Sequence, residues 1–251
     1  MHYVIGDIHG QGIALRLLLN KIQYNPKADT LCFVGDYVDW GKDSIDVIRL
    51  IIKLQKESEK VIALMGNHDL MMLDAIKHPW TMAIPFRFFN NWFYNKGFDT
   101  MKQYMALNDE EKAEIREWIK SLPIDASFEI NGAEYLITHS VPLSSIKHLF
   151  PWYPKKKKME EAVWYELDDK TKKQSNQIVA KGITLVRGHR ITDSLKIEHW
   201  NNGIINIDCG AKAIGYDAKR DYKLACICLE TKNAFYVNAD EVAISSEAKG
   251  K

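Results

Sequence analysis

Five short apolar runs each end in side chains able to hold a metal ion. Val4-Ile5-Gly6 leads into Asp7 and His9, Phe33-Val34-Gly35 into Asp36 and Asp39, and Leu64-Met65-Gly66 into Asn67, His68 and Asp69. Leu136-Ile137-Thr138 leads into His139, and Leu185-Val186-Arg187-Gly188 into His189. Singly, each is weak: a histidine in an apolar setting is more often a satisfied core residue, and a strand-end aspartate more often a cap. Jointly, Asp7, His9, Asp36, Asn67, His139 and His189 are a mixed oxygen and nitrogen set suited to manganese, iron or zinc. Six ligands exceed what one four-coordinate ion takes, whereas two ions sharing a carboxylate would use them all. Cations would also answer the cost of carboxylates at the ends of buried strands.

These side chains can meet only if the runs belong to one assembly. His2–Ile5, Thr30–Val34 and Val61–Met65 read as strands separated by amphipathic helices. The first helix carries Ile13, Leu15, Leu18, Leu19 and Ile22; the second carries Ile45, Val47, Ile48, Ile51, Ile52 and Leu54, with Asp43 or Ser44 as its cap. This β-α-β-α-β order predicts parallel strands with right-handed crossovers, and such sheets bind ligands beyond the carboxyl ends of their strands. Asp36 lies 29 residues after Asp7, and Asn67 lies 31 after Asp36, each about one βαβ unit. In four of the five runs a glycine precedes the first polar residue, permitting a sharp exit and close backbone approach.

Residues 70–122 turn helical and aromatic, with Trp80, Phe86, Phe88, Phe89, Trp92, Phe93, Tyr94 and Phe98. Asn108 through Glu111 resembles a capping box, opening a helix that stops before Pro123. We read this segment as an insertion over the sheet, its aromatics serving as core. The second half is strand-rich: Asn131-Gly132 joins Ser127–Ile130 to Glu134–Ile137, and Asn202-Gly203 joins Leu195–His199 to Ile204–Ile207. Tyr222–Leu229 and Ala234–Val237 form another pair. The expected fold is α/β, a four-layer α/β/β/α sandwich of two mixed sheets with a helical, aromatic-rich insertion. One domain spans residues 1–240, and 241–251 read as a poorly ordered tail.

The 251 residues are 46% hydrophobic, enough for a large core without disulfides. Lys+Arg number 34 against 33 Asp+Glu, which points away from nucleic acid and membrane as partners. No apolar run approaches the ~18 residues a bilayer span needs, and Tyr3-Val4-Ile5 reads as a core strand, not part of a signal peptide. Cys32, Cys209, Cys226 and Cys228 form no C-x-x-C pair and lie in apolar contexts, as small hydrophobes of a reducing compartment. A cytoplasmic location is expected; the oligomeric state is left open.

The motifs GDIHG (6–10), GDYVDWG (35–41), GNHD (66–69), THS (138–140) and GH (188–189) resemble, in order and spacing, the phosphoprotein phosphatase family, a branch of the calcineurin-like metallophosphoesterases. WFYNKG (92–97), then Thr100-Met101 and Tyr104, is similar to the W-x-x-N-G-G…T-L…S-Y element of bacterial members. Those include serine/threonine protein phosphatases and symmetrical diadenosine tetraphosphate hydrolases. The resemblance covers residues 2–238. It implies two divalent ions, with manganese expected and iron or zinc as alternatives. Asp7 and His9 would hold the first, Asp36 would bridge, and Asn67, His139 and His189 would hold the second. Such a pair can share a hydroxide and orient a phosphoryl group for in-line attack. His68 would lie near the leaving group as a general acid, a role worth ~10²–10⁴-fold, with Asp39 as its hydrogen-bond partner. Asp69 is divided between helix capping and support of the site.

Two positions depart from the family. Trp40 stands where GDxVDRG has an arginine that grips phosphate with its planar fork. In Trp164-Tyr165-Glu166, Glu166 stands where a W-x-R arginine is usual. Arg190, beside His189, is the foremost replacement, with Arg187, Lys42, Lys96 and Arg87 behind it. Trp40 either stacks on an aromatic leaving group or packs the pocket, and returning arginine there is expected to raise activity on simple monoesters. Lys155–Lys158 read as a solvated loop. The expected function is metal-dependent hydrolysis of phosphomonoesters, whether phosphoprotein or small aryl or nucleotide phosphates. The alternatives are a dinucleoside polyphosphate hydrolase and, from another class, a non-catalytic phosphoryl-binding or scaffold protein.

Overall fold

The computed structural model describes residues 1–77, 91–166, 182–200, 203–217 and 219–249. One sheet has the order β10-β9-β1-β2-β3, from β1 (His2–Ile5), β2 (Thr30–Phe33), β3 (Val61–Ala63), β9 (Lys223–Cys228) and β10 (Ala234–Asn238). The other has the order β4-β5-β6-β8-β7, from β4 (Asp125–Ile130), β5 (Ala133–Thr138), β6 (Ile183–Arg187), β7 (Glu198–Trp200) and β8 (Ile204–Asn206). Each sheet pairs three parallel strands, β1-β2-β3 and β5-β6-β8, with antiparallel neighbours. Both sheets are therefore mixed, as expected.

The two-residue period of the strands divides the core. Val4, Cys32, Ile137, Val186, Ile205 and Ile227 point inward and form the contact between the sheets. Their neighbours Ile5, Phe33, Leu185, Ile204 and Cys226 join the helix-covered cluster instead. With both faces buried, the strands read as continuous apolar runs with no alternation. Helices α1 (Gly12–Lys21) and α2 (Ser44–Glu57) bring Leu15, Leu18, Ile48 and Ile51 to that cluster and cover the outer face of the first sheet.

Around this sandwich lie α3 (Asn67–Ile76), α4 (Phe98–Met105), α5 (Asp109–Ser121), α6 (Leu143–Leu149), α7 (Lys155–Trp164) and α8 (Ala239–Lys249). Asn108 caps α5, its side chain accepting from the Glu111 N–H at 2.8 Å. Three expectations change. Asp43 precedes α2 without a side-chain cap, and the Ser44 hydroxyl turns to the loop after β2. Lys155–Lys158 open helix α7, where Lys157 meets Glu161 at 2.9 Å and the Lys158 Nζ donates to the Pro151 carbonyl at 2.8 Å. The proposed tail is helix α8 through Lys249, anchored by Lys21–Glu241 at 2.5 Å. Trp80, Phe86, Arg87, Phe88, Phe89 and Asn202 lie outside the described residues. Among the described residues no helix is long and apolar enough to cross a membrane, and all four cysteines are buried and free.

Candidate active site

Among the described residues, the six strands in parallel pairings end at one place. Asp7 follows β1, Asp36 follows β2, Asn67 begins α3 after β3, His139 directly follows β5, and His189 follows β6. The sixth contribution is Asp208, two residues beyond β8 and 2% exposed, which the sequence reading missed. Its context, Ile204-Ile205-Asn206-Ile207-Asp208-Cys209-Gly210, is like the others a mainly apolar run that ends in a metal-capable side chain, and was a usable signal.

Asp36 is the centre. The donor atoms of His9, Asp36 and His68 lie within 4.8 Å of one another, as do those of Asp7, Asp36 and His139. His9 Nε2 is 3.4 Å from Asp36 Oδ2 and His139 Nε2 is 3.6 Å from Oδ1. Asn67 Oδ1 is 2.9 Å from His139 Nε2 and 3.0 Å from His189 Nδ1. The Nδ1 atoms of His9 and His139 each face a backbone carbonyl, Val38 and Val34, at 3.1 Å. With Nδ1–H donating there, the Nε2 lone pair is left for an ion, the usual support of a metal-binding histidine.

The backbone approaches closely to make this possible. A Cβ on Gly66 would collide with Asp36, and one on Gly188 with the Asp7 carboxylate. His9, Asp36, Asp39, Trp40 and His189 all have positive φ, between 48° and 73°. Aspartate and histidine tolerate the left-handed region better than most residues, but tryptophan does not. Asp69 serves both of its expected purposes: it accepts from the N–H groups of Gly66 (3.0 Å), Asp36 (2.8 Å) and Tyr37 (3.0 Å), so it caps α3 and shapes the loop carrying Asp36.

Burial dominates the electrostatics of the cluster. Burial and then the charge of Asp208 raise Asp7 well above the usual carboxylate range; burial and then Asp69 do the same to Asp36. Burial pushes Asp69 up to about 6, His189 down to about 3, and His9 and His139 well below their ordinary value. Neutral imidazoles beside buried carboxylates are a donor set that divalent cations satisfy.

A second network holds the expected acid. His68 Nδ1 meets Asp39 Oδ2 at 2.7 Å, and Asp39 also accepts from Thr100 Oγ1 (2.7 Å) and Trp92 Nε1 (3.0 and 3.1 Å). Ser44 and Thr100 hydroxyls accept from the Asp39 N–H at 3.0 and 3.1 Å. Trp92 and Thr100 are fully buried. Their place in the insertion is explained by this clamp as much as by the core, and a Cβ on Gly97 would strike the Trp92 indole.

The remaining candidates separate. Arg187 is fully buried, its Nη1 and Nη2 without hydrogen-bond partners among the described residues, and burial pushes it down to about 10. It is no gripping residue at the mouth. Arg190 and Lys42 are exposed. The Trp164 ring is 6.3 Å from His189, and Glu166 is close enough to act on Arg187. Lys96 Nζ lies 5.7 Å from the Trp40 ring. So does a residue the sequence reading passed over, Lys212, at 5.6 Å. Tyr216 meets Trp40 edge-on at 6.2 Å, and beside them opens a cleft of about 470 Å³ lined also by Ile13, Ile214 and Val242.

The calcineurin-like phosphoesterase family model matches residues 3–203. The chain is 28% identical over 141 residues to serine/threonine-protein phosphatase 2 of Salmonella typhimurium, covering 55% of this chain and 57% of that protein. It is 41% identical over 122 residues to the symmetrical bis(5'-nucleosyl)-tetraphosphatase of Pectobacterium atrosepticum, covering 49% of this chain and 37% of that one. It thus spans about half the length, or less, of these curated relatives. A crystal structure provisionally described as a diadenosine tetraphosphatase superposes with a TM-score of 0.61 at 19% identity, covering 94% of this chain and 92% of the other.

Proposed function

The chain belongs to the calcineurin-like phosphoesterase family, and on that premise we propose that it hydrolyses phosphomonoesters with two bound divalent ions, manganese foremost. The observation that carries this is Asp36, the one carboxylate common to both clusters of donors. Asp7 and His9 would hold one ion, Asn67, His139 and His189 the other, and Asp36 would bridge. When bound, such ions supply Lewis acidity and lower the pKa of water toward neutrality.

The chain's own residues supply the rest. Asp39, fixed by Trp92 and Thr100, engages His68 Nδ1 and leaves Nε2 free to deliver a proton to the leaving oxygen. The sandwich excludes solvent from the floor of the site, where Asp7, Asp36, Asn67 and His139 are at most 3% exposed. Four buried, free cysteines suit the cytoplasm as the working compartment. The test is manganese-dependent turnover of p-nitrophenyl phosphate, abolished in Asp36→Asn. Normal metal uptake without turnover on any of a panel of phosphoesters would support a phosphoryl-binding role instead.

A second reading, hydrolysis of dinucleoside polyphosphates, is favoured by the cleft beside Trp40 and Tyr216, which has room for a nucleoside. A higher kcat/KM for diadenosine tetraphosphate than for phosphopeptides would promote it.

A further inference from the structure

Two lysines from distant parts of the chain converge on Trp40. Lys212 belongs to the 3-10 turn Ala211–Ala213, and that turn is tied down on every side. Gly210, at φ 84°, donates to Asp208 Oδ1 at 2.9 Å; Gln11 Nε2 reaches the Ile214 carbonyl at 3.3 Å; the Tyr216 hydroxyl donates to the Trp40 carbonyl at 2.7 Å. Lys212 is thus carried by a segment braced against both Asp208 and the loop after β2. Lys96 arrives from the insertion, on the turn after Trp92, with φ 70°. A lysine in the left-handed region costs about 1–2 kcal/mol, and the side chain so placed ends over the same indole.

Packing does not explain the arrangement. Cation–π contact at an accessible ring contributes only about 0.5–1 kcal/mol, and two ammonium groups on one ring repel each other. Neither lysine has a carboxylate within ion-pair distance among the described residues. An anionic group within reach of both ammonium groups would offset that repulsion. The positive charge of Lys212 also reaches the metal-binding cluster: it opposes the upward shifts of Asp7, Asp36 and Asp208 and helps lower His9 and His189.

Resting on the phosphoesterase reading, we propose that Lys96 and Lys212 are a two-point ammonium clamp for the substrate's terminal phosphoryl group, with Trp40 as the surface on which both are carried. The clamp stands in for the planar guanidinium absent at position 40. Ammonium groups are compact point charges with rotating donors. Two of them select for charge, a dianionic monoester over a monoanionic diester, more than for a bidentate geometry. Trp40 is then no defect: an arginine there would be a third cation beside two. This reverses the expectation drawn from the sequence that arginine at position 40 raises activity.

The probe is inorganic phosphate on the manganese-loaded full chain, read by equilibrium dialysis and by competitive inhibition of p-nitrophenyl phosphate hydrolysis. With manganese saturating in every variant, Lys96→Ala and Lys212→Ala should each weaken phosphate binding about tenfold, as for a lost charge-assisted hydrogen bond. The double variant should also lose preference for p-nitrophenyl phosphate over its bis-ester. Lys→Arg at each position should retain most of the affinity. Trp40→Arg should leave the wild type unimproved but restore binding in the double alanine variant. Lys212→Met keeps the aliphatic stem should alanine unfold the turn. Unchanged phosphate affinity in the double variant would overturn the clamp, as would a Trp40→Arg gain of the same size in both backgrounds. The outcomes separate from those for the activity itself: phosphate loss in a protein that turns over no ester keeps the clamp and removes the enzyme, whereas turnover with undiminished phosphate binding in the double variant removes only the clamp.

Discussion

Asp39→Asn perturbs a crowded hydrogen-bond node of the site. Three donors converge on its carboxylate: His68 Nδ1 and Thr100 Oγ1 at 2.7 Å, and Trp92 Nε1 at 3.0–3.1 Å. An amide offers one acceptor oxygen, and its NH₂ would face groups that also donate. At least one donor is left unpaired, costing about 1–3 kcal/mol of stability, or roughly 2–12 °C in Tm for a chain this size. The orientation of His68 suffers more selectively. Losing a charge-assisted bond of about 1.5–3 kcal/mol corresponds to about 10- to 150-fold in kcat, while His68→Asn removes the acid and about 10²–10⁴-fold. The decisive assay is a leaving-group series from p-nitrophenyl phosphate to a phosphoserine peptide. A good leaving group departs without a proton, so the loss should be small at the aryl end and large at the alkyl end. Asp39→Asn should follow the same trend at lower amplitude, and the double variant should be no worse than His68→Asn. A uniform loss across the series would refute proton delivery by His68. Losses that multiply in the double variant would refute the idea that Asp39 acts through it.

Metal removal gives a second test with a sign that can be worked out. A carboxylate whose folded pKa is raised above its unfolded value near ~4 destabilises the fold as pH rises past that value, and fully so above the folded pKa. Burial raises Asp36 in this way, so in EDTA near pH ~7.5 Asp36→Asn should raise Tm, whereas added manganese should stabilise the wild type and not the variant. A variant less stable than wild type in EDTA would contradict the buried-charge account. Gly188→Ala drives a Cβ into the Asp7 carboxylate and should lower metal affinity; Gly132→Ala, where a Cβ meets nothing within 4 Å despite φ 76°, should leave metal content alone and cost only stability. Replacing Lys155–Lys158 by alanine removes surface pairs such as Lys157–Glu161 and should change stability by less than about 1 kcal/mol. A marked fall in kcat/KM or in its salt dependence would instead give the run a part in substrate capture.

The strands that end in the candidate ligands were legible because each is an apolar run broken by a polar residue costly to a core, in four of the five cases directly after a glycine. The same grammar announces Asp208, yet the strand before it, Ile204–Asn206, is only three residues long and reads as one arm of a hairpin. Its parallel pairing with β6 is a long-range fact that local pattern does not contain. Lys155–Lys158 misled for a related reason. A charge run looks like a loop until the glutamates at Glu160 and Glu161 are placed one helical turn away, where they pair with it. Lys212 was illegible in a stronger sense. It stands in a glycine-flanked turn with no motif, and only the fold shows that the turn leans on Trp40.

The strain at the site and its electrostatics have one physical cause. Five polar or aromatic residues, His9, Asp36, Asp39, Trp40 and His189, adopt positive φ within this single volume, and such conformations cost about 1–3 kcal/mol each where the residue does not favour them. The same loops force Asp7, Asp36 and Asp208 into a buried, mutually repelling group. Neither feature helps the chain fold by itself. Both aim oxygen and nitrogen donors at common points, which is what a cation needs and what a relaxed backbone would not provide. Binding free energy of ions at such a site is folding free energy for the loops that hold them. The hydrophobic contact between the sheets, from Val4 to Ile227, holds the strands in register without an ion, whereas bound ions would add to the stability of the loops beyond them. Hydrogen exchange should accordingly find the strands protected with or without manganese, and the loops at 35–41 and 188–190 protected only with it. Equal protection of those loops in EDTA would mean that the sandwich alone supports the strain.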